Sequence, residues 1–193
     1  MPACRADSGY RGSCVIFRSA TIEGAYVISP QRHEDERGSF ARLWCARELA
    51  AHGLDTRFAQ CSLSTNTREG TLRGMHFSVP PHPEVKIVRC VRGAVYDVLL
   101  DLREPSPTFG QWFAEVLNAD NALALYIPEG VAHGYLTLQD GTDVFYQMSE
   151  FYDPASARGA RWNDPAFNIR WPAMPKFVSE RDSSYADFNG PRT

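Results

Sequence analysis

The sequence predicts an all-β fold, a sandwich or barrel built around a pocket. Three observations predict it. Short strand-like runs follow one another with turn signals between them, one run alternates with a clear period of two, and no helices recur as parallel βαβ units would require. Taken in order, Val15 to Ile28 reads as strand material broken at Glu23-Gly24, and Arg32 to Gly38 as a charged turn. Ala46 to His52 is the clearest helix candidate, with Gly53 in the stop position. Val85 to Arg92 is an apolar and basic run that ends at Gly93. In Ala94 to Leu102, Tyr96, Val98, Leu100 and Leu102 share one face, and Val95, Asp97, Leu99 and Asp101 share the other. Leu123 to Ile127, Gly134 to Leu138 and Asp143 to Glu150 are further short strands, parted by Pro128-Glu129-Gly130 and Asp140-Gly141. From Tyr152 onward a Pro-rich, aromatic segment reads as irregular chain wrapped over the barrel.

A length of 193 residues fits one domain, able to bury a core without disulfides or a structural metal. The expected division is a flexible N-terminal tail over residues 1–14 and a single domain over 15–193. Twenty Lys and Arg against 23 Asp and Glu leave a net charge of −3, which argues against a general nucleic-acid binder. No apolar run approaches the roughly 18 residues of a membrane span, and Met1 to Cys14 lacks the apolar stretch of a secretory signal. The five cysteines, Cys4, Cys14, Cys45, Cys61 and Cys90, form no C-x-x-C pair, so neither a disulfide framework nor a zinc site is expected. The expected location is a reducing cytoplasm.

No G-x-S-x-G elbow and no Gly-rich phosphate loop is present. His76, His82 and His133 can be imagined around a metal, but their spacing does not demand one. In Gly70 to Phe77, GTLRGMHF, Arg73 and His76 lie three apart and could line a barrel mouth; a turn with a satisfied histidine and a surface arginine would look the same. Lys86 interrupts an apolar run, His133 sits between Ala132 and Gly134, and VFYQMSEFY carries Tyr146 and Tyr152. Each of these alone suits an ordinary strand or turn.

In sequence order, however, GTLRGMHF, KIVRCVRGAVYDVLLDLREPSPTFGQW, YIPEGVAHGY, VFYQMSEFYDP, RWNDPAFNIRWP and SERD resemble the dTDP-4-dehydrorhamnose 3,5-epimerase family over roughly Ile22 to Asp182. The resemblance implies a cupin-type jelly-roll β-barrel with short peripheral helices. It also implies a homodimer that epimerises a nucleotide-linked sugar, with neither metal nor other cofactor. By the same resemblance His76 is the catalytic base, Asp182 the carboxylate that orients it, Tyr146 the proton donor and Lys86 the cation beside the C4 carbonyl. Arg73 and His133 would hold the diphosphate and sugar. Tyr152 would stack on the base, and Arg37, Gln60 and Ser62 would lie on the nucleotide side. Arg181 stands where the family has a lysine. The implied partner is a dTDP-sugar, with no nucleic acid and no membrane.

The chemistry is coherent. Inverting a carbon beside a ketone requires loss of an α-proton and its return to the other face, through an enolate. A fixed cation stabilises that enolate more than the ground state. A histidine with an ordinary pKa of about 6.5 is available as base, and arginine binds diphosphate in bidentate fashion. Protons at C3 and C5 both lie α to a C4 ketone, so one base can serve both centres. Departures from the family pattern fall at His33, Arg42, Cys61, Ser62 and Ala157, all expected on the nucleotide side. The alternatives are an epimerase acting at C3 or C5 alone on another nucleotide sugar, a non-catalytic sugar-nucleotide-binding cupin, and a metal-dependent cupin.

Overall fold

The computed structural model describes residues 14–190; the predicted tail, apart from Cys14, lies outside the described residues. The chain forms β1 (Val15–Ser19), β2 (Tyr26–Pro30), β3 (Arg32–Asp35), β4 (Gly38–Ala41), α1 (Ala46–Ala51) and β5 (Gln60–Asn66). It continues through β6 (Thr71–Ser78), β7 (Lys86–Arg92), β8 (Ala94–Asp101), β9 (Trp112–Asn118) and β10 (Ala124–Ile127). Then come β11 (Val131–Thr137), β12 (Thr142–Met148), β13 (Ala157–Gly159), β14 (Phe177–Val178) and α2 (Glu180–Ser183). One sheet has the order β1-β2-β10-β7-β12-β5, the other β13-β6-β11-β8-β9, with β14 parallel to β6. The expected all-β, cupin-type jelly roll with short peripheral helices is the fold observed. Among the described residues no helix is long and apolar enough to cross a membrane.

Apolar residues from both sheets, among them Val27, Val88, Leu125 and Val144 facing Val95, Leu99 and Tyr135, fill the space between them. A second cluster packs α1 through Leu49 onto the outside of the first sheet at Ile28, Ile87 and Tyr126. A third lays Phe167, Trp171 and Phe188 of the C-terminal segment over Val98, Leu100 and Ala132. That cover explains why β8 is buried on both faces although its sequence alternates. Its two carboxylates survive burial because each has partners: Asp97 meets His133, and Asp101 accepts from Arg103, Ser106 and Thr108. Four segments differ from the expected pattern. The charged turn at Arg32 to Gly38 is a projecting hairpin, β3 against β4, whose strand residues are almost all exposed. GTLRGMHF is itself a strand, β6, with its glycines inside it. β5 carries mixed polar sequence and β9 is apolar apart from Glu115 and Asn118; neither was foreseen as a strand.

Candidate active site

Two close-packed glycines set the geometry. Gly74 in β6 has φ +134°, and a Cβ there would lie 2.4 Å from the Cα of Gly134 in β11. The strands therefore approach closely at this point, and a register irregularity in β11 follows His133. His76 and His133 are register partners across this pair, so both side chains point to one face, into the space between the sheets. The facing sheet presents Lys86 at the start of β7, Tyr146 in β12, and Ser62 and Ser64 in β5, with Tyr146 opposite Ser62. Together these line a cavity of about 840 Å³ that also receives Arg73, Arg181 and Asp182.

Asp182 arrives from α2, whose N-cap Ser179 accepts the Asp182 amide through its hydroxyl. Its Oδ1 lies 2.7 Å from His76 Nε2, and its Oδ2 accepts the Gly74 N–H at 3.2 Å. Burial raises the pKa of this carboxyl, but the bonds from His76, the Gly74 amide and Ser179 outweigh it and hold it below the ordinary range. Asp182 is therefore ionised at neutral pH. The imidazole proton is then assigned to Nε2, and Nδ1 keeps the lone pair of a base. The His76 side chain is 40% exposed and opens on the cavity.

Lys86 is not the solvent-facing strand lysine its neighbours in sequence would equally allow. It is 8% exposed and its Nζ lies 2.6 Å from Glu84 Oε1, which also accepts from Ser78. Glu84 was not among the residues foreseen; its only sequence signal is a carboxylate two residues before a lysine in extended chain. Desolvation pushes the Tyr146 hydroxyl well above its ordinary pKa, with Tyr135 and Asp97 adding to the rise and Arg73 opposing it. Tyr146 thus holds its proton at neutral pH. His133 is 4% exposed, its Nε2 shared between the two oxygens of Asp97 at 2.9 and 3.0 Å. Burial pushes the Asp97 carboxyl up, an effect His133 only partly offsets.

Of the residues foreseen, His76, Lys86, Tyr146, Asp182, Ser62, Arg73, His133 and Arg181 line the cavity; Arg37, Gln60 and Tyr152 do not. Gln60 accepts the Tyr152 amide through Oε1 at 2.8 Å, and Tyr152 is 67% exposed and linked to Arg181, so these three adjoin one another beside the cavity. Arg37 stands at the tip of the β3–β4 hairpin, paired with Asp35. Of the five departures from the family pattern, only Ser62 lines the cavity. Arg42 instead binds Glu48, which also accepts the Val15 amide and so ties α1 to β1. Among the described residues no three His, Cys, Asp or Glu side chains are grouped to hold a metal, and His82 does not line the cavity.

A family model described as dTDP-4-dehydrorhamnose 3,5-epimerase matches residues 19–190. The protein of that name from Sinorhizobium fredii is 38% identical over 171 residues, 88% of each chain. A dTDP-4-dehydrorhamnose 3-epimerase from Streptomyces niveus is 40% identical over 86% of this chain and 80% of its own. The crystal structure of the Bacillus anthracis dTDP-4-dehydrorhamnose 3,5-epimerase with TDP and pyrophosphate bound superposes with a TM-score of 0.87 at 34% identity, covering 91% of this chain and all of that one. On the agreement of fold, site and sequence, the chain belongs to the dTDP-4-dehydrorhamnose 3,5-epimerase family.

Proposed function

We propose that this protein epimerises a nucleotide-linked 4-keto-6-deoxyhexose, dTDP-4-dehydro-6-deoxyglucose, at C3 and C5 to give dTDP-4-dehydro-L-rhamnose. One observation carries the reading: His76 with Asp182 and Tyr146 come from opposite walls of one cavity. A sugar ring between the walls would have a base on one face and a proton donor on the other, which is what inversion requires. His76 Nδ1 removes the α-proton and Asp182 steadies the imidazolium. Lys86 meets the charge that develops on the C4 oxygen, and Tyr146 delivers a proton to the opposite face. Arg73 and Arg181 take the diphosphate, with His133 beside the sugar and Gln60, Ser62 and Tyr152 on the nucleotide side. The chemistry calls for no cofactor. Proton NMR of the reaction after dialysis against a chelator tests this: an L-configured product is expected, and loss of turnover restored by a metal would refute it. A single inversion at C3 is the second reading, favoured by the likeness to the Streptomyces niveus 3-epimerase.

The chain's domain, residues 15–193, would work in the cytoplasm as a homodimer. Arg37 supports the dimer. The resemblance gives it a nucleotide contact, yet it stands outside its own cavity on an exposed hairpin. Exposed Phe40 is on the same hairpin, and exposed Leu43 and Trp44 follow it where the chain rejoins the body at Arg89 and Phe58, an apolar surface of the kind partners cover. Seating this arm on a second copy would bring Arg37 to that copy's cavity. Sedimentation equilibrium should then read about twice the 21.6 kDa chain mass, and a monomer that is fully active would contradict the arrangement.

A further inference from the structure

Glu84 holds the buried cation of the cavity without entering the cavity itself. Lys86 lines that space and is 8% exposed, while Glu84 stays out of the lining. The Glu84 Oε1 lies 2.6 Å from Lys86 Nζ and also accepts the Ser78 hydroxyl at 3.2 Å, with the Glu84 side chain only 15% exposed. Two positions apart in extended chain, the pair points to one face. The residue between them is clamped. The Val85 amide donates to Ser149 Oγ at 2.8 Å, and the Val85 carbonyl accepts the Ser149 amide at 3.0 Å. Beside Lys86 the neighbouring strands place Ile127 and Met148, neither of which carries a charge. A lysine ammonium rides on a flexible stem, so without a fixed acceptor its place in the cavity would be loose. Glu84 supplies that acceptor and occupies one N–H, leaving the others for a carbonyl oxygen.

We propose that Glu84 is a positioning residue for Lys86: steadied by Ser78, its carboxylate fixes the ammonium where the C4 oxygen gains charge. The inference rests on Lys86 being the cation that meets the enolate. When His76 takes the α-proton, the C–H electron pair moves into the ring and the carbonyl pair onto the C4 oxygen; reprotonation reverses both shifts. Glu84 and Lys86 exchange no proton in this cycle. Removal and return of the proton pass through the same enolate, so a misplaced ammonium slows both. The two carbons beside the ketone share that oxygen, so one preset cation serves C3 and C5. This separates Glu84 from the donor. Tyr146→Phe shifts the balance between exchange and inversion, whereas a change at Glu84 should keep that balance and lower both rates.

The test follows dTDP-4-keto-6-deoxyglucose in D₂O, measuring deuterium uptake into recovered substrate and appearance of inverted product. In Glu84→Ala both rates should fall together by about tenfold to 10²-fold, up to the cost of a misplacement of about 1 Å. The loss should lie in kcat, with KM close to that of the wild type. Glu84→Gln, which keeps the length of the arm and an oxygen to accept, should recover most of it. A folded Glu84→Ala protein with unchanged rates overturns the inference, as does a parallel loss of dTDP binding, which would make Glu84 structural. Glutamine as slow as alanine also overturns it, since charge and not position would then matter. Should Glu84→Ala not fold, Glu84→Asp decides: its shorter arm should slow both rates at unchanged KM, and wild-type rates would refute positioning. Lys86→Met separates the two levels. If it exchanges and inverts normally, the cation assignment itself fails; if it is slow while Glu84→Ala is not, only the role of Glu84 fails. Adding Glu84→Ala to Lys86→Met should cost little more, and fully additive losses would show that Glu84 does not act through Lys86.

Discussion

His76→Ala should abolish exchange of the α-protons while leaving dTDP binding largely intact. The expected loss in rate is about 10²–10⁴-fold, the usual contribution of a positioned acid–base group. His76 is the base in this account because Asp182 holds its Nε2 at 2.7 Å and leaves the other nitrogen free. Removing the imidazole takes away one bond to a buried carboxylate, which keeps its bonds from the Gly74 amide and from Ser179. The structural cost should therefore be modest, about 1–3 kcal/mol, and visible as a lowered melting temperature in a protein that still binds dTDP. Isotope exchange by NMR and dTDP titration by calorimetry check the two halves of the prediction. Equal loss of exchange and of binding would make His76 a structural residue.

Tyr146→Phe should separate the two halves of the reaction. The base remains, so α-deuterium should still enter recovered substrate at a rate near that of the wild type. The inverted product should form about 10²-fold more slowly or less, because the donor on the opposite wall has lost its only exchangeable proton. The high pKa of this tyrosine, set first by burial, keeps the hydroxyl protonated across the neutral range. Phenylalanine preserves the ring that packs against the core and against His133, so the fold should be unaffected. A product distribution like that of the wild type would count against Tyr146 as donor.

How far the sequence revealed the molecule depended on the interaction involved. β8 was legible because its alternation is local, and α1 because a glycine, Gly53, follows it in a left-handed conformation, φ +71°. β6 was not legible as a strand. Its internal Gly74 looks like a turn residue, and only the contact with Gly134, sixty positions on, shows why a strand needs it there. The direction of Lys86 depended on Glu84 and on which face of β7 the opposing sheet covers. His76 and Asp182 are 106 positions apart and meet only through the docking of α2, so their pairing came from family resemblance and not from spacing. Asp97 reads as an ordinary strand residue, because what marks it is the company it keeps once buried. The departures at His33, Arg42, Cys61 and Ala157 pointed in sequence to an altered nucleotide site; in the fold none of the four lines the cavity.

The measurement that tests the central claim most directly is the position of deuterium in the product formed from dTDP-4-keto-6-deoxyglucose in D₂O. A base and a donor on opposite walls, serving both carbons beside one ketone, predict an L-configured product with one deuterium at C3 and one at C5. Deuterium at a single carbon, or recovered substrate with none, would contradict the account of a double epimerase.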